Sequence, residues 1–90
     1  MPKFVKLPIV VEAEKISDLI YLARENMSLL PSWVREAYEA GLLIFLHDTI
    51  SISTLDGRMR AGMDSWLLRG VKGELYPCDG DVFAATYSKV

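Results

Sequence analysis

The 90-residue chain has one cysteine and one histidine. It can close no disulfide within itself and cannot supply the Cys/His cluster that a structural zinc requires. No uninterrupted apolar run approaches the roughly 20 residues that span a bilayer. The opening residues 1–6 lack the apolar stretch of a secretion leader. These absences set the expectation of a cytoplasmic protein without membrane contact, stabilised by packing or by self-association. A basic excess is missing too. Ten Lys and Arg against twelve Asp and Glu give a net charge of −2, so no global positive field gathers nucleic acid. Linkers, charge blocks, low-complexity tracts and internal repeats are absent, and positions 1–90 read as one domain.

What is present is an ordinary globular composition, 51% hydrophobic and 24% charged. At this size that suffices for one core and not for two. The segment Phe4 to Ala13 is β-branched and extended, and Pro8, which has no ladder donor, belongs at a strand start or an edge. The pattern predicts a first strand from about Leu7 to Ala13. A helix from Ser17 to about Asn26 follows, with Ser17 as cap, Asp18 at its positive end, and Leu19, Ile20, Leu22 and Ala23 near a helical period. Pro31-Ser32 opens a second helix, in which Trp33, Val34, Ala37 and Tyr38 share an apolar face and Gly41 is the stop.

Leu42 to His47 reads as a buried strand, and Ile50 to Leu55 alternates with period two. Asp56-Gly57 suits a type I′ turn with positive φ at both residues, and the chain returns through Arg58 to Ala61. Strands at Ser65 to Arg69 and Glu74 to Pro77 flank a reversal at Gly70-Val71-Lys72-Gly73. Asp79-Gly80-Asp81 caps a short turn or helix carrying Val82 and Phe83, and Thr86 to Ser88 is a candidate final strand. The predicted fold class is α+β: an antiparallel meander of hairpins, two helices inserted after the first strand, and a short C-terminal helix or turn.

The run Trp66-Leu67-Leu68-Arg69-Gly70-Val71-Lys72-Gly73-Glu74-Leu75-Tyr76-Pro77-Cys78, then Asp81-Val82-Phe83 and Thr86-Tyr87, resembles a block common in small proteins encoded by bacteriophages and prophages. The opening Lys6-Leu7-Pro8-Ile9-Val10-Val11-Glu12-Ala13 is similar to the Lys-x-Pro-Val-x-x-Glu-Ala start of that family. Thr54-Leu55-Asp56-Gly57 is similar to its Thr-Leu-Glu-Gly. Two departures stand out: Met63-Asp64-Ser65 replaces Pro-Gly-Asp, and Asp79-Gly80-Asp81 replaces Lys-Pro-Asp. The resemblance implies phage or prophage origin and action inside the host cell, and brings no reaction with it. Residues Ile16 to Asp48 lie outside it, which makes them the place for a partner-specific surface.

The residues that carry chemistry do not form a reactive pattern. His47-Asp48 is a His–carboxylate neighbour pair, but adjacent strand residues point to opposite faces. Cys78 has no resolving cysteine, and Ser51, Ser53 and Ser65 lack a nucleophile-elbow context. Gly70 and Gly73 sit in a hairpin, where they cannot cradle phosphate at a helix N-terminus. Asp79, Asp81 and Glu74 would need to converge to hold a metal. No catalytic residue, metal ligand or cofactor site is assigned, and the chain is expected not to be an enzyme.

Two charge groupings remain. Arg58, Arg60, Arg69 and Lys72 are candidate anion-binding residues, with a solvated sheet edge as the plainer reading. The acids Glu12, Glu14, Asp18, Glu25, Glu36 and Glu39 fill the N-terminal half. Within that half, Glu36, Glu39, Leu29, Leu30 and Trp33 are candidate partner-binding residues, with Met27 adding to an apolar patch before Pro31. The expected function is an accessory protein that binds a host protein, such as a defence or regulatory factor. Two alternatives stand beside it: a small homo-oligomer holding an anionic ligand such as a nucleotide signal, and a phage structural module with no host target.

Overall fold

The computed structural model describes residues 2–5 and 7–90. It is an α+β fold of two three-stranded antiparallel sheets and three helices, in the order β1 (Glu12–Lys15), α1 (Ile16–Glu25), α2 (Ser32–Glu39), β2 (Leu43–Phe45), β3 (Thr49–Thr54), β4 (Gly57–Gly62), β5 (Trp66–Arg69), β6 (Leu75–Cys78) and α3 (Gly80–Thr86). One sheet is the meander β2-β3-β4. The other has the order β1-β5-β6, so β1 crosses the helices to meet the C-terminal hairpin. The meander expected from the sequence is therefore split in two, with β3 and β4 packed against β6.

One core serves both sheets. Ile16, Leu19 and Ile20 of α1, Trp33, Val34 and Ala37 of α2, Leu43, Ile50, Ile52 and Ala61 of the first sheet, and Leu67 and Leu75 of the second form a single buried cluster. Burying an aliphatic side chain of this size contributes about 1.5–3 kcal/mol. With no disulfide, this pooled burial is what holds the fold.

Local chemistry corrects several expectations. Strand β1 begins at Glu12, not Leu7, because its partner β5 ends at Arg69, paired with Glu12, and the chain then reverses. Helix α1 begins at Ile16, and Ser17 is not its cap. Lys15 stands at the N-cap without a side-chain bond, and the Ile16 amide donates to the Ser65 carbonyl at 2.9 Å. A 3₁₀ turn at Met27–Leu29 links α1 to α2, capped by Asn26, whose Oδ1 accepts from the Ser28 amide at 2.9 Å.

Strand β2 is an edge strand, not a buried one. Leu43 is inside, while Ile44 is 47% exposed. At the first hairpin Gly57 alone takes positive φ, at +111°, and Asp56 does not, so the turn is not type I′. Thr54 replaces that geometry with side-chain bonds. Its Oγ1 donates to the Gly57 carbonyl at 2.6 Å and accepts from the Asp56 amide at 3.1 Å. Helix α3 runs through Thr86 with Tyr87 as its C-cap, where a final strand was expected.

Gly80 shows how closely α3 seats on the sheet. A Cβ there would lie 2.3 Å from the Asp64 carbonyl oxygen, whereas a Cβ on Gly62 meets nothing within 4 Å. Gly80→Ala is expected to lower stability by about 1–3 kcal/mol, and Gly62→Ala to change it by no more than about 0.5 kcal/mol. Urea denaturation midpoints of the two variants check the contrast.

Candidate functional site

The C-terminal block folds into one unit: β5, its turn, β6 and α3. Its aromatic residues stack in a row. Trp66 and Phe83 lie with centroids 4.1 Å apart and planes 10° from parallel, and Phe83 and Tyr87 follow at 5.1 Å and 22°. Tyr76 bonds the Tyr87 side chain, and Cys78, half-buried, pairs with Trp66 across the ladder. In the turn, the Gly73 amide donates to the Gly70 carbonyl at 3.0 Å, and Gly73 takes φ +80°. Glu74 folds back under Gly70 and accepts from the Lys72 amide at 2.9 Å. These residues thus have architectural tasks. Of the resembling N-terminal opening, Lys6 lies outside the described residues.

The basic candidates fall into two groups. Arg58 donates to Ser51 Oγ at 3.0 Å and to the Gly41 carbonyl at 3.3 Å, tying β4 to β3 and to the end of α2. Arg69 pairs with Glu12 across β1 and β5, and its guanidinium lies 5.5 Å from the centre of the Trp33 ring. A half-exposed pair of this kind adds at most about 1 kcal/mol, so its effect is to position β1 and α2. Arg60 and Lys72 are exposed. The four residues therefore do not form one set: Arg58 and Arg69 clamp neighbouring elements of the fold, while Arg60 and Lys72 extend into solvent. Two further arginines act as clamps, Arg24 on the His47 carbonyl and Arg35 on the Ser28 carbonyl at 3.2 Å.

The partner-binding candidates divide as well. Leu30 and Trp33 are 3% and 7% exposed and belong to the core, which removes them from any surface. The sequence puts Leu30 in the interhelical loop and Trp33 on the apolar face of the second helix; both join the core cluster shared with α1 and the two sheets. Glu36, Glu39 and Leu29 are exposed. Tyr21, on α1, is a further exposed residue that the apolar pattern of the sequence does not single out. It is 63% exposed on the outer side of α1, one turn from both Asp18 and Glu25. The signal was present in the i, i+3, i+7 spacing of an acid, an aromatic and an acid.

Glu14, near Asp18 and Glu12, is held above the usual carboxylate range, first by partial burial and then by those two charges. Glu12, Glu14, Asp18, Glu25, Glu36 and Glu39 face three bases, Lys15, Arg24 and Arg35, across residues 12–39. Arg24 and Arg35 are committed to the backbone contacts above and Glu12 to Arg69, which leaves residues 12–39 with an excess of carboxylates.

Along the Ile20, Ala23 and Met27 side of α1 lies an open, largely apolar groove of about 520 Å³. Arg24 joins these three in lining it from α1, Ile44, Phe45 and Leu46 line it from β2 and its turn, and Tyr38 from α2. Among the described residues no group of three or more His, Cys, Asp and Glu gathers as a metal site. His47 and Asp48 are exposed in the β2–β3 turn. No helix of the described residues is long and apolar enough to cross a membrane. Comparison with protein-family models, with curated proteins and with solved structures finds no match.

Burial and the bond to Tyr87 push the Tyr76 phenol up to about 12. Folding thus favours its neutral form. The resulting stabilisation is complete below the ordinary tyrosine value near 10, and is lost as pH rises from there through about 12. The stability gap between wild type and Tyr76→Phe is expected to narrow across that window. Denaturation midpoints at successive pH values check it. A gap that stays constant contradicts the assignment.

Glu14 yields a second expectation. Its ionised form is disfavoured in the fold, so Glu14→Gln is expected to be more stable than wild type at neutral pH. That advantage should disappear in acid, once Glu14 is protonated. Denaturation midpoints at neutral and acid pH check this sign.

Proposed function

We propose that this is a phage- or prophage-encoded accessory protein that works by binding, not by catalysis. Its target would be a host protein with a basic surface, a defence or regulatory factor in the host cytoplasm. Tyr21, held 63% exposed between two acids on the outer side of α1, is the observation that carries this reading. A rigid aromatic with one polar tip supplies contact area at small entropic cost, and such residues dominate protein interfaces. The carboxylates of Asp18 and Glu25 on α1, together with the exposed Glu36 and Glu39 on α2, would steer and orient a basic partner. The resemblance of the C-terminal block supports the phage setting, and the structural tasks of that block leave the helical insertion, which lies outside the resemblance, as the partner-facing element.

The full chain, immobilised and exposed to bacterial lysate, is expected to retain one stoichiometric protein that high salt releases. Glu36→Lys with Glu39→Lys should abolish retention, and Tyr21→Ala should weaken it by about tenfold or more. Mass spectrometry of the retained protein and titration of each variant provide the readout. No retained protein, or one held equally by all variants, would contradict the proposal.

A further inference from the structure

The described residues 2–5 and 7–11 have the composition of a strand but no strand to pair with, and are called the arm below. Phe4 and Val5 are 92% exposed and Val10 is 75% exposed. The arm continues β1, whose pairing with β5 ends at Glu12 opposite Arg69. Extending that register would set Val11 against Gly70 and Val10 against Val71. Those residues are already closed into a turn, in which the Gly70 amide donates to the Glu74 carbonyl at 2.8 Å. The described chain is accordingly drawn out to 50 Å along one axis and 22 Å along the others.

Strand β2 has the reciprocal defect. The Ser53 amide donates to the Leu42 carbonyl and the Leu46 amide to the Thr49 carbonyl, so Leu42, Ile44 and Leu46 turn their backbone groups toward β3. Leu43 and Phe45 turn theirs the other way, where the sheet order β2-β3-β4 places no strand. Beside that edge runs the apolar groove between β2 and the Ile20, Ala23 and Met27 side of α1.

We infer that the two defects satisfy one another between two copies of the chain: the arm of each adds as a strand to the free edge of β2 in the other, with its odd-numbered apolar residues toward the groove. Val5, Leu7, Ile9 and Val11 share one face of an extended chain. With those residues supplying the ladder, Pro8 falls at the outward positions, where its missing N–H is harmless. A second copy is the fitting occupant because the arm cannot readily turn back on its own body. It contains no glycine, and Pro8 confines Leu7 to extended backbone. Eight residues, Phe4 to Val11, reach about 26 Å. Reciprocal exchange doubles the buried surface, as it must to approach the roughly 1,200–2,000 Å² of a specific interface. Tyr21, Asp18 and Glu25 do not line the groove, so dimerisation there leaves them open.

The test uses the full chain in a Cys78→Ser background. Light scattering should give twice the 10.1 kDa chain mass. Leu7→Lys with Ile9→Lys, both at exposed positions, should halve that mass without changing the denaturation midpoint of the monomer. When chains carrying Val10→Cys, on the even-numbered face, are mixed with chains carrying Ile44→Cys, on the same outer face of the extended sheet, and oxidised, the mixed disulfide should dominate. A monomeric wild type overturns the inference, as does a dimer indifferent to the arm substitutions. So does a Val10→Cys chain that links chiefly to itself, which would mean arm against arm. None of these outcomes involves the host partner, so they leave the acidic-face reading to its own test.

Discussion

A 90-residue chain with no staple can fill one core, and everything else in this structure follows from how that core is shared. Two small sheets and two helices all direct their apolar sides into it. Ile16, Leu19 and Ile20 of α1 are almost completely enclosed, and the first amide of α1 is satisfied by the Ser65 carbonyl from the β4–β5 connection, remote in sequence. Arginine side chains then fasten the periphery: Arg58 to the end of α2, Arg69 to Glu12 and Trp33, and Arg24 to the β2–β3 turn. Basic residues that suggest an anion site in the sequence are in large part the mortar between elements.

The core also decides what is left over. Once β5 turns at Gly70, the apolar arm has nowhere to pair, and once α1 and α2 have covered β3, the outer edge of β2 stays open. A surplus strand and a vacant edge in one molecule are complementary defects, and exposed edges of this kind are sites of strand addition. The acidic outer side of α1 and α2 is a separate consequence. Helices that bury one face must solvate the other, and here that face carries carboxylates and one exposed tyrosine.

Much of this architecture was legible from local pattern. Trp33, Val34 and Ala37 announced α2, the alternation from Ile50 announced β3, and the glycines at 70 and 73 marked the second reversal. What was not legible depended on partners remote in sequence. Leu7 to Val11 has strand propensity, but propensity cannot reveal that β5 stops at Arg69. Leu30 and Trp33 read as surface candidates because the elements that bury them come from elsewhere in the chain. Among the candidate residues, Glu36, Glu39 and Leu29 are exposed, and the exposure of Tyr21 was not legible because it sits inside a helix whose apolar residues dominate the pattern.

The claim that an unpaired strand meets an unpaired edge is tested most directly by amide hydrogen exchange as a function of protein concentration. The account predicts that the amides of Leu7, Ile9 and Val11, together with those of Leu43 and Phe45, slow in concert as concentration rises, while the amides of β3 and β5 stay protected throughout. Arm and edge amides that exchange at the rate of open backbone at every concentration would contradict it.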